Sequence, residues 1–151
     1  MLILFSLNFI ILLIYHAYTD IRYMLLYDKV TLLLIAAGCL RAFYLQQITG
    51  ALQGALVLFA IMLALYIVSR GGMGEGDVKL APALGIWLGI EQGLWCLLFA
   101  FVSGGLVGAV LLVCGRSRKY AIPFGPFLCA CALIMYFCGE RIIDFYWQLM
   151  L

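Results

Sequence analysis

Leu80-Ala81-Pro82-Ala83-Leu84-Gly85-Ile86-Trp87-Leu88-Gly89-Ile90 is the stretch on which the fold turns. It is apolar throughout, yet only about half as long as the ~20 residues that one bilayer crossing takes. Five other apolar runs surround it: Met1 to Tyr18, Val30 to about Gln46, Gly50 to Ser69, about Gly93 to Cys114, and a last run opened by Ile122-Pro123-Phe124-Gly125-Pro126 that ends near Gly139. If the short stretch crosses, extended by Val78 and by residues after Ile90, the chain spans the bilayer six times. If it re-enters, everything downstream changes sides. Charge decides between the two. With six crossings, connections one, three and five hold Arg22, Lys29, Arg70, Lys79, Arg116, Arg118 and Lys119, and only Arg41 and Arg141 fall on the other side. Basic residues concentrate on the cytoplasmic side. The asymmetry therefore favours a true crossing, with the odd connections cytoplasmic and both termini outside.

Composition agrees. Of 151 residues, 68% are hydrophobic and 11% are charged, where a soluble domain is about half apolar and about a quarter charged. This excludes a disordered chain, a nucleic-acid-binding arm and an ordinary cytosolic globule. The expectation is an all-α, polytopic integral membrane protein forming a single domain over residues 1–151, with no room for a separate soluble domain. The tail from Glu140 to Leu151 reads as an interfacial amphipathic helix, because Glu140, Asp144 and Gln148 recur every four residues among apolar and aromatic neighbours. Met1 to Tyr18 lacks a basic start and a small-residue cleavage site, so it reads as a retained membrane helix. The six cysteines, Cys39, Cys96, Cys114, Cys129, Cys131 and Cys138, form no Cys-x-x-Cys pair. They read as small apolar packing residues rather than as metal ligands.

Asp20 and Asp77 both fall at the cytoplasmic ends of apolar runs, and ionisable residues in or beside a membrane are functional candidates by default. Two carboxylates brought together in a partly dehydrated site do not both ionise easily. One keeps its proton and the other becomes a base. Such a pair activates a water and protonates a leaving amine, which is the chemistry of aspartic peptidases. The plainer reading is that Asp20 and Asp28 solubilise their connection and that Asp77 caps a helix beginning at Val78. The glycines Gly71, Gly72, Gly74 and Gly76 weigh against a plain connector, because glycine permits positive φ and close approach to another segment. A phosphate-binding loop is disfavoured, since no Gly-Lys-Ser/Thr is present.

Gly71-Gly72-Met73-Gly74-Glu75-Gly76-Asp77-Val78-Lys79-Leu80 resembles the GxGD motif of the type IV prepilin peptidases, polytopic aspartic endopeptidases. Ile122-Pro123-Phe124-Gly125-Pro126-Phe127 resembles a second family segment, and Asp20-Ile21-Arg22 the first catalytic aspartate with its following basic residue. The resemblance implies that Asp20 and Asp77 are the catalytic pair. Gly74, Glu75, Gly76 and Lys79, with Pro123, Phe124, Gly125 and Pro126, are then substrate-binding or loop-shaping. No metal and no cofactor are implied. The implied partners are a prepilin-like membrane protein substrate and the lipid bilayer, with no nucleic acid, in the inner (cytoplasmic) membrane. Leu26-Tyr27-Asp28 stands where members often have Ile-Pro-Asn. Longer members carry a cytoplasmic insert with paired Cys-x-x-Cys motifs, associated with N-methylation of the trimmed pilin. This sequence resembles the short forms, which implies peptidase activity without methyltransferase activity.

By the same resemblance, the substrate has a short basic leader cut from a hydrophobic helix at the cytoplasmic face. Glu75 reads as a solvated charge or an attractor for that leader. Lys79 reads as a cation acting on Asp77 or an anchor at the headgroups, and His16 as interfacial packing rather than a base. Two other classes stay open: a small transporter lined by Asp20, Asp77 and Lys79, and a non-catalytic assembly subunit.

Overall fold

A computed structural model describes residues 1–70, 72–115 and 123–150. Gly71, Ile122 and the basic loop of Arg116, Arg118 and Lys119 lie outside the described residues. Five helices make up the described chain: α1 (Leu2–Tyr23), α2 (Asp28–Tyr44), α3 (Ile48–Val68), α4 (Glu75–Val113) and α5 (Gly125–Met150). The protein is all-α, and α1, α3, α4 and α5 are each long and apolar enough to cross a membrane.

The fourth and fifth apolar runs are joined in α4, which is 39 residues long and bent at Gly89. Gly89 has φ 72° and ψ −168°, a region open essentially to glycine alone. The first half, from Glu75 to Leu88, is about 14 residues and roughly 21 Å long. The C-terminal tail also departs from expectation. The segment from Glu140 is no separate amphipathic helix; it continues α5, which runs 26 residues without a break. Gly139 stays helical and packs against Gln92, where a Cβ would stand 3.1 Å from the side chain. Beyond it Ile143 is buried, Tyr146 meets Trp95 edge-on at 4.9 Å, and the Trp147 indole donates to Glu91 at 3.4 Å. Packing against α4 extends the helix past the point where apolar sequence ends.

Two close contacts set the position of the first half of α4. On one side α3 approaches it main chain to main chain. A Cβ on Gly54 would collide with the Gly85 carbonyl and stand 2.7 Å from the Gly89 carbonyl carbon, and a Cβ on Gly85 would collide with Gly54. On the other side Gly38 of α2 leaves room for the Trp87 indole, which donates to the Leu34 carbonyl at 2.9 Å. Phe9 of α1 stacks on Trp87 at 4.5 Å and meets Tyr136 of α5 at 4.8 Å. Arg41 of α2 lies 5.6 Å over Trp87 and 5.4 Å over Tyr136. It donates to the Trp87 carbonyl at 3.3 Å, one of the carbonyls that the bend at Gly89 removes from the helical ladder.

Candidate active site

Asp20 belongs to the last turn of α1, and its side chain is buried. A carboxylate at the C-terminal end of its own helix is unfavourably placed, but one at the N-terminal end of another is favoured. The fold supplies the second arrangement. Gly125 opens α5, and its backbone N–H donates to Asp20 Oδ2 at 2.8 Å. This amide has no partner within its own helix. A Cβ on residue 125 would stand 2.6 Å from that oxygen, so only glycine allows the approach. Pro126 follows in the first turn, where a missing N–H removes no helical bond. Phe124 stacks on Phe101 of α4 at 4.9 Å and holds the start of α5 in place.

Asp77 lies in the first turn of α4 and is also buried. It caps nothing: the helix begins two residues earlier, at Glu75, and its N-cap Gly74 receives no side-chain hydrogen bond. Asp77 Oδ1 is buried without a hydrogen-bond partner among the described residues. Gly74 stands against Asp77 Oδ2, where a Cβ would sit at 3.2 Å, and Gly76 stands against Leu26, where a Cβ would sit at 2.8 Å. Neither glycine has a positive φ. Of the two properties expected of the glycine-rich loop, close approach is the one used here.

Asp20 and Asp77, from different helices, line one cleft of about 590 Å³. One wall is the α1–α2 connection, Met24, Leu25, Leu26 and Tyr27, continuing into Asp28 and Lys29; the other is Gly74, Glu75, Gly76 and Lys79. Pro123, Phe124 and Pro126 do not line the cleft, and Gly125 reaches it only through Asp20. Lys79 does not pair with Asp77. Its Nζ lies 3.0 Å from both oxygens of Asp28, because residues two apart on a helix point to different sides. Glu75 accepts from the Tyr66 hydroxyl at 3.2 Å. Sequence reading foresaw neither contact, that of Asp28 with Lys79 nor that of Tyr66 with Glu75. Asp28 carried a signal, since the resemblance expects asparagine there; Tyr66 carried none.

His16, one turn before Asp20, is fully buried. Its Nδ1 lies 2.9 Å from the Leu12 carbonyl and its Nε2 3.0 Å from the Thr31 hydroxyl. In the neutral ring, Nδ1–H donates to the carbonyl and the Thr31 hydroxyl donates to Nε2. The contact ties α1 to α2 directly behind the cleft. Cys96, Cys129 and Cys131 are buried in the core, whereas Cys39, Cys114 and Cys138 are exposed.

Residues 7–109, which include both aspartates, match the model of the type IV leader peptidase family. The chain belongs to that family. The prepilin leader peptidase/N-methyltransferase of Legionella pneumophila is 36% identical over 152 residues, covering 95% of this chain and 53% of the relative. The protein of the same description from Bacillus subtilis is 31% identical over 141 residues, covering 91% of this chain and 57% of the relative. That from Burkholderia pseudomallei is 43% identical over 112 residues, 68% of this chain and 36% of the relative. The chain thus spans about half the length of the Legionella and Bacillus relatives. No solved structure matches it. Membership in the type IV leader peptidase family and four helices fit for crossing together describe a multi-pass membrane protein.

Proposed function

We propose that the chain is a membrane-embedded aspartic endopeptidase that removes the short basic leader from prepilin-like or pseudopilin substrates at the cytoplasmic face of the inner membrane. Asp20 and Asp77 are the catalytic pair. The observation that carries this reading is their meeting in one cleft with Asp77 Oδ1 buried and unpartnered. A buried carboxylate oxygen without a donor is costly, and a water held between the two carboxylates supplies one. In the reaction one carboxylate takes a proton from that water as it attacks the scissile carbonyl. The other gives its proton to the leaving amine. The pair acts as a unit.

The rest of the reading follows the same geometry. Residues 1–151 form a single membrane peptidase domain. The chain crosses six times, with α2 and the two halves of α4 each crossing, and the aspartate end faces the cytoplasm. Support comes from the arrangement of elements: the end of α1 and the starts of α4 and α5 meet at the aspartates, whereas Arg41, Gln46, Gln92 and Glu140 share a second cavity with the bend at Gly89. Trimming without methylation is the finer part of this reading and rests on the resemblance to the short forms of the family.

The test is leader removal from a candidate prepilin co-expressed in membranes. Asp20→Asn and Asp77→Asn should each abolish processing while the protein still inserts. Near-normal processing by either variant defeats the assignment.

A further inference from the structure

The cleft holds more negative charge than the reaction needs. Four carboxylates line it, Asp20, Asp28, Glu75 and Asp77, against two ammonium groups, Lys29 and Lys79. Asp28 differs from the aspartate pair in every respect that matters for binding. It opens α2 and lines the cleft. Its side chain is 63% exposed. Both of its oxygens are held by one ammonium, Lys79 Nζ at 3.0 Å, which is itself 51% exposed and comes from the opposite wall. An ion pair this exposed contributes little to stability, so a second ammonium displaces the first at small cost. Deeper in the same cleft, Asp77 Oδ1 is the buried unpartnered atom that marks where a ligand goes.

We propose that Lys79 is an internal stand-in for a basic side chain of the substrate, and that Asp28 is the specificity carboxylate that receives this side chain when the chain to be cut enters the cleft. Lys79 leaves Asp28, and the incoming lysine or arginine takes its place. The two walls of the cleft, joined by the ion pair in the free protein, are then joined through the substrate. The proposal rests on the reading of Asp20 and Asp77 as the catalytic pair and adds to it the side chain that selects the substrate.

The experiment compares two membrane-inserted peptides in the full-length protein in liposomes: one with lysines in its leader, the other with those lysines changed to glutamine. The readout is the ratio of kcat/KM for the two. The unaltered protein should favour the lysine leader. Asp28→Asn should lower that preference about fivefold, and Asp28→Lys should reverse it. Full retention of the preference by Asp28→Asn overturns the proposal. If the Asp28 variants cleave neither peptide, Lys79→Gln decides. Removing the competing ammonium should lower KM for the lysine leader, and an unchanged or raised KM overturns the proposal. Asp20→Asn separates the two levels of the argument. If it cleaves either peptide, the peptidase assignment itself fails. If it cleaves neither while Asp28→Asn keeps full preference, only the role of Asp28 fails.

Discussion

Asp20 and Asp77 are both buried carboxylates, but their surroundings are unequal. Asp20 has one oxygen committed to the Gly125 amide at 2.8 Å, whereas Asp77 has an oxygen with no donor among the described residues. The first is held by the backbone of a third helix, and the second is left for a ligand. Gly125→Ala tests how much this holding matters. The added methyl would stand 2.6 Å from Asp20 Oδ2, so the carboxylate must turn away and lose a charge-assisted hydrogen bond worth about 1.5–3 kcal/mol. Leader removal by Gly125→Ala should fall roughly 10- to 100-fold, with insertion and expression unchanged. Sequence pattern pointed to Gly125 only as part of a family segment. That its amide meets Asp20, 105 positions away, is a tertiary fact no local pattern encodes. The pairing of Lys79 was misread. Two residues beyond Asp77 on one helix is the wrong side to serve it, and its ammonium instead reaches Asp28.

At the scale of elements, the bend in α4 carries the most consequence. The sequence divides the region into a short run and a long one and leaves open whether the short one crosses. It does not say which of Gly85, Gly89 and Gly93 breaks the helix, because the three look alike in composition. Their surroundings separate them. Gly85 is crowded by the α3 main chain, Gly93 by the Leu58 side chain, and Gly89 has nothing within 4 Å of a would-be Cβ but has φ 72°. Gly89→Ala should therefore destabilise through backbone strain alone, by about 1–3 kcal/mol, read as a lower melting temperature in detergent. Gly85→Ala should do so by steric conflict and should also loosen α3 from α4. The polar spacing of the tail from Glu140 does not say whether it forms a helix of its own or continues the one before it. It continues α5, with Tyr146 and Trp147 in contact with α4.

For the whole molecule, the lengths of the apolar runs and the scarcity of charge made the all-α class and the membrane setting plain, and the clustering of basic residues made a six-crossing orientation arguable. The orientation has a direct check. In a variant whose six native cysteines are replaced by serine, cysteines introduced at Gln47, between α2 and α3, and at Ser69, between α3 and α4, should react with a membrane-impermeant reagent from opposite faces. Ser69→Cys should be labelled only from the cytoplasmic side. Labelling of both from one face excludes a crossing by α3 and with it the proposed order of spans. The contact between Gly54 and Gly85 has a genetic corollary. Most packing defects in a helical bundle are open to second-site repair, in which a neighbour shrinks to accommodate a residue that has grown. Here each partner is already the smallest residue there is, and the surfaces in contact are main chain. A search for suppressors of Gly85→Ala should return none at position 54. Those it does return should alter how the whole of α3 sits rather than any one side chain.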